Sequence, residues 1–156
     1  LIEIEIQLIR NYSMLSKKIY DTYKTMLSNE GLKFTPQRLE ILEEIVLGGG
    51  HRECEEIYLS MKKKGKSISR ATVYRTIDLL VKNNLVRKLE LGDGRARYES
   101  KMNSSHHDHL ICMDCGDIVE FVDDEIESKQ EEIALQNGFV LKKHIHQLFG
   151  SCKKCQ

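Results

Sequence analysis

The sequence predicts an α+β fold in two parts, a winged helix-turn-helix followed by a strand-rich region built on a four-cysteine metal site. Three observations predict it. Helical apolar stripes give way to two strand-like runs joined by Gly92-Asp93-Gly94, the three-helix-then-hairpin order of a winged helix. Two Cys-x-x-Cys pairs, Cys112 with Cys115 and Cys152 with Cys155, lie 36 residues apart. Charge divides the same way, with 18 Lys and Arg against 14 Asp and Glu in residues 1–100, then 6 against 10 in residues 101–156. The 156-residue chain, of zero net charge, is sized for one domain or two small ones. We divide it into an extension (1–14), a winged-helix part (15–99) and a metal-binding part (100–156).

The elements follow from periodicity and caps. Ile2, Ile4, Ile6 and Leu8 alternate with polar residues as a strand would. Leu15, Ile19, Tyr23 and Met26 keep helical spacing up to Asn29-Glu30-Gly31. Thr35-Pro36 caps and opens a second helix, with Leu39, Leu42 and Val46 on one stripe, that ends at Gly48-Gly49-Gly50. A third carries Cys54, Ile57, Tyr58 and Met61, which makes Cys54 a small core residue. Ser69 caps a fourth running to about Asn83, with Val73, Ile77 and Leu80 inside. Strand-like runs 85–91 and 95–99 form the wing. Beyond residue 100 the pattern predicts strands at 109–112 and 118–122, a helix over 123–137 and a strand over 139–151.

Between Glu56 and Asp78 no acidic side chain occurs, while Lys62, Lys63, Lys64, Lys66, Arg70 and Arg75 do, which reads as a surface facing a polyanion. The small Ser69, Ala71 and Thr72 would let the fourth helix approach the major groove closely, leaving Arg70, Tyr74 and Arg75 to reach phosphates and base edges. With no secretory pattern at the start of the chain, a metal site outranks disulfides for the paired cysteines, and four thiolates suit a closed structural zinc site; a redox pair and unpaired thiols are the alternatives. In His106-His107-Asp108-His109, strand alternation puts His107 and His109 on one side and His106 and Asp108 on the other. Glu120 can join the first group, and Glu127 and His144 the second, as harder and more exchangeable sites for Fe(II), Mn(II) or Zn(II). A zinc-dependent hydrolase with Glu120 as base is the reading from another class. Neither H-E-x-x-H, a Gly-rich phosphate loop nor a nucleophile elbow accompanies it, and it leaves the winged helix without a role.

Gly31-Leu-Lys-Phe-Thr-Pro-Gln-Arg38, Ser69-Arg-Ala-Thr-Val-Tyr-Arg75, His106-His-Asp-His109 and the two Cys-x-x-Cys pairs, in this order, resemble the ferric uptake regulator family over about residues 20–155. The resemblance implies a homodimeric, metal-dependent transcription repressor, not an enzyme, with an α/β dimerisation domain after the winged helix. It implies structural zinc on Cys112, Cys115, Cys152 and Cys155, a regulatory metal on His51, Glu99, His107, His109 and Glu120, and an additional metal on His106, Asp108, Glu127 and His144. It also implies DNA contacts from Lys33, Tyr74 and Arg75. The partner expected is an A/T-rich palindromic duplex, with dimer or tetramer left open, and the setting cytoplasmic with no membrane contact.

Glu120, where the peroxide-sensing branch has Asp, favours Fe(II) as co-repressor over peroxide sensing; zinc-uptake regulation is the further alternative, with Mn(II) or Zn(II) in the site. Two departures stand out. His51-Arg-Glu-Cys-Glu-Glu replaces the family's small or Pro-containing cap, leaving Glu53 or Cys54 as substitute ligands. Residues 1–13 match nothing in the family, so they are either an added DNA- or dimer-facing segment or precede a natural start at Met14.

Overall fold

The computed structural model describes residues 15–92 and 94–156; the alternating run at residues 2–8 lies outside them. The described residues form two compact units, one of residues up to Glu90 with Arg95–Ser104, the other of Leu91–Gly94 with Ser105–Gln156.

The first unit holds α1 (Lys17–Asn29), α2 (Pro36–Gly48), α3 (Cys54–Lys63), α4 (Arg70–Lys82) and the antiparallel hairpin β1 (Val86–Glu90) and β2 (Ala96–Ser100). Side-chain oxygens of Ser16, Thr35 and Ser69 cap α1, α2 and α4 by accepting from the N–H three residues on, and Pro36 opens α2. The predicted stripes face inward: Tyr23, Leu42, Ile57, Val73, Ile77 and Leu80 are all fully buried, and so is Ile41, which the predicted stripe left out. Each such side chain contributes roughly 1.5–3 kcal/mol by leaving water. Cys54 lies in this core, as its spacing predicts.

One polar node ties α2, α3 and the loop between them. The Glu44 side chain, 5% exposed, accepts from Arg52 at 2.8 Å and from Ser60 at 2.8 Å and pairs with the Lys64 ammonium. Arg52 also donates to the Glu44 carbonyl. The backbone of Arg52 bridges to Tyr98 of β2 through two hydrogen bonds, 3.1 and 2.8 Å. The loop carrying His51 is thereby fastened beside Glu99.

The second unit is a three-stranded sheet, β4 (Ile118–Phe121), β3 (Asp108–Cys112) and β5 (Gln147–Gly150), with α5 (Asp124–Gln136) in the connection from β4 to β5. Central β3 runs antiparallel to β4, with His109 opposite Glu120, and parallel to β5, with Cys112 opposite Gly150. The strand expected over 139–151 is only Gln147–Gly150, because β3 offers a four-residue ladder from His109 to Cys112, beyond which only the His146 carbonyl still meets β3. Its helix buries no side chain, and Leu110, Val119 and Leu148, register neighbours across the sheet, are all exposed.

Burial raises the pKa of Glu44, but the donors Lys64, Arg52 and Ser60 outweigh it and leave the carboxyl below its ordinary value near 4.5. A depressed carboxylate stabilises the fold above its unfolded pKa, and that contribution fades as pH falls through the folded value. Glu44→Gln is expected to cost about 2 kcal/mol at neutral pH in urea unfolding. The gap to the parent protein should narrow once the pH falls below the ordinary glutamate range.

Candidate metal centres and nucleic-acid interface

The four paired cysteines converge. Cys115 Sγ lies 3.8 Å from Cys152 Sγ, which lies 3.6 Å from Cys155 Sγ. Thiolates at the usual zinc–sulfur distance of about 2.3 Å in a tetrahedron stand about 3.8 Å apart, so the group fits zinc. Each pair is a tight turn: Gly116 N–H reaches the Cys112 carbonyl at 2.9 Å with Gly116 at φ 74°, and Cys155 N–H reaches that of Cys152 at 2.8 Å. Backbone N–H groups of Cys115 and Cys152 stabilise a Cys112 thiolate, lowering its pKa to about 6. Neighbouring sulfurs of Cys152 and Cys115 push Cys155 up to about 12. Sulfurs packed this closely cannot all ionise without a cation among them.

A second group gathers at the other end of β3. His106 Nε2 lies 3.1 Å from Glu127 Oε1, 2.9 Å from His144 Nε2 and 3.7 Å from Asp108 Oδ1. His144 Nε2 lies 3.7 Å from Asp108 Oδ1 and 3.5 Å from Glu127 Oε1. Nitrogen and oxygen ligands about 2.0–2.1 Å from one ion would stand about 3.3 Å apart, so this donor set also fits a divalent metal. Asp108 opens β3 and His106 lies two residues before it, the first turn of α5 supplies Glu127, and the segment before β5 supplies His144.

The other predicted ligands occur as a pair in the first unit and a trio in the second. In the first unit His51 Nε2 lies 2.9 Å from Glu99 Oε2, while Arg87, opposite Glu99 in the hairpin, holds its Oε1 at 2.7 Å. In the second, the rings of His107 and His109 are 4.9 Å apart, and His107 Nε2 lies 3.8 Å from Glu120 Oε1.

Helix α4 presents Arg70, Tyr74 and Arg75 outward, and Lys33 is exposed just before α2. Arg70 is engaged: its Nε and Nη2 donate to Glu55 at 2.7–3.0 Å, and its guanidinium lies 4.7 Å over the Tyr58 ring. The Thr72 hydroxyl is 2.9 Å from that of Ser69, joining the helix cap.

A profile of the Ferric uptake regulator family matches residues 29–149. The Ferric uptake regulation protein of Helicobacter pylori is 36% identical over 140 residues, 90% of this chain and 93% of that protein. That of Escherichia coli K12 is 39% identical over 129 residues, 82% and 86% of the two chains. A solved structure of the Helicobacter pylori ferric uptake regulator Fur superposes with a TM-score of 0.80 at 35% identity, covering 91% of this chain and 95% of that one. The chain belongs to the ferric uptake regulator family. It is therefore a member of a family of metal-responsive DNA-binding transcription regulators, and its α+β fold and four-cysteine cluster are those the sequence predicts.

The two residues weighed as substitute ligands beside His51 are both engaged elsewhere. Cys54 is buried in the helical core, and burial pushes its thiol up to about 11. Glu53 starts α3: its own N–H donates to Glu56 at 2.7 Å in a capping box, and its carboxylate lies 3.7 Å from Arg97. Sequence reasoning missed the Arg87 support of Glu99 and the Glu44–Arg52 anchor, which depend on strand register and tertiary contact. It also missed His146, 3.2 Å from Asp108, although its place two residues after His144 was a usable sign. No helix among the described residues is long and apolar enough to cross a membrane.

Metal removal separates the five cysteines. After chelation, iodoacetamide at pH 8 is expected to label Cys112 first, because the nucleophile is the thiolate, and to reach Cys54 last, because Cys54 lies inside the helical core. Native mass spectrometry is expected to find one bound zinc in the parent chain and none in Cys152→Ser.

Proposed function

We propose that this chain is a cytoplasmic, iron-responsive repressor in which one exchangeable Fe(II) is held by His51 and Glu99 of the first unit with His107, His109 and Glu120 of the second. The observation that carries this reading is the His51–Glu99 pair at 2.9 Å, a ligand couple fastened between the wing and the Arg52 loop of the DNA-binding unit. The second unit offers the complementary half, two imidazoles and Glu120 within 3.8 Å of His107. The Helicobacter pylori relative, described with three functional metal binding sites, supports one zinc site and two further sites here. An ion in such a site supplies a demand for ligands from both units, so it favours the arrangement that satisfies them all. Imidazole and carboxylate donors suit Fe(II), with Mn(II) as a substitute. His106, Asp108, Glu127 and His144 hold the additional ion.

The DNA reading rests on α4. Arg75 and Tyr74 point outward from it to read base edges, Arg70 and Thr72 flank them at its start, and Lys33 reaches the minor groove from the loop before α2. The operator is a palindromic A/T-rich duplex read by a homodimer. The exposed row Leu110, Val119 and Leu148, with Ile133, Leu135, Phe139 and Val140 exposed in the same unit, supports pairing through the second unit, since a small domain rarely leaves so much apolar surface in water.

Fluorescence anisotropy on such a duplex, at fixed salt and without oxygen, tests the reading. Fe(II) or Mn(II) is expected to tighten binding at least tenfold, and His51→Ala to abolish that gain; undiminished metal dependence in the variant overturns the assignment. Lys33→Ala should lower the salt slope by about one and weaken all sequences alike, whereas Arg75→Ala should cost about 1–3 kcal/mol at one base position. Val119→Glu should turn the dimer into a monomer in light scattering.

A further inference from the structure

The two oxygens of Asp108 face different groups. Oδ1 lies 3.7 Å from Nε2 of both His106 and His144, within the ligand group. Oδ2 lies 3.2 Å from Nδ1 of His146. The Asp108 side chain is 3% exposed, so an oxygen turned away from the ligand group needs a donor of its own. His146 is well placed to be that donor. Its carbonyl accepts from the His109 N–H at 3.3 Å, and its ring meets Phe121 edge-on at a centroid distance of 5.7 Å. Strand register holds its backbone and an aromatic neighbour holds its ring.

Resting on the reading of His106, Asp108, Glu127 and His144 as a metal site, we propose that His146 is a positioning residue for it. Its Nδ1–H binds Asp108 Oδ2 and keeps that carboxylate a one-oxygen ligand aimed between the two imidazoles. A ligand oriented in this way keeps the donor set at four, suited to a tetrahedral ion. Without the His146 donor, Asp108 can turn and offer both oxygens.

The test is a Co(II) titration of the full-length, zinc-loaded chain in a His51→Ala background, which suppresses binding at the other exchangeable site. The visible d–d bands report affinity and geometry together. His146→Ala is expected to weaken Co(II) binding about 10–100-fold and to lower the intensity of the tetrahedral bands. His146→Asn, whose amide N–H takes the place of Nδ1–H, should recover affinity to within about threefold and restore the bands. Unchanged affinity and spectrum in His146→Ala overturn the proposal, and so does a His146→Asn protein as impaired as the alanine variant. The underlying site is judged by His144→Ala: persistence of the bands there shows that these four residues are not the ligands, and that result is distinct from any behaviour of His146.

Discussion

The strict alternation of one short strand governs the second unit. Strand β3 is hydrogen-bonded along both edges, so its side chains have no freedom to change face. At its start Asp108 joins His106 on one side, while His109 sits opposite Glu120 on the other. At its end Cys112 enters the thiolate group, opposite Gly150 at the end of β5. The zinc cluster therefore clamps the strands at one end of the ladder, and the histidine-rich run is displayed at the other. A slip of one residue would exchange the two histidine faces and pull Cys112 out of its cluster, so metal chemistry and strand register depend on each other.

The first unit has a comparable anchor made of charge. Glu44 is almost fully buried, and such a carboxylate is tolerable only because three donors surround it. Its effect passes through Arg52, whose backbone pairs with Tyr98 and sets the neighbouring His51 against Glu99. Arg87 holds the opposite oxygen of Glu99. His51 and Glu99 thus meet as a pair drawn from a loop and a hairpin, the loop anchored through Arg52 to α2 and the hairpin. The same packing shuts Cys54 into the core and pushes its thiol up, while the four paired cysteines gather in a group that fits zinc, a difference of environment between residues of one type.

Much of the fold was legible beforehand because its signals are local. Thr35-Pro36 and Ser69 mark helix starts whatever surrounds them, and Leu39, Leu42, Val73, Ile77 and Leu80 keep a period that only a helix brings to one side. The alternation in His106–His109 likewise foretold which residues would gather with Glu127 and His144. The strand over 139–151 was overextended because its apolar residues satisfy a strand pattern, whereas strand length is decided by how much partner edge exists. Arg70 read as a free basic contact until Glu55 and Tyr58, from a different helix, were found around its guanidinium.

By itself the sequence determined the order of elements, the zinc-binding sulfur pairs and the family, because caps, periodicity and ligand spacing act over a few residues along the chain. Tertiary structure alone decided that Glu44 grips Arg52, that Arg87 braces Glu99 and that His146 faces the far oxygen of Asp108. Each of those pairings joins residues brought together by register and packing, and hydrogen-bond geometry at about 3 Å exists only once the chain has closed on itself.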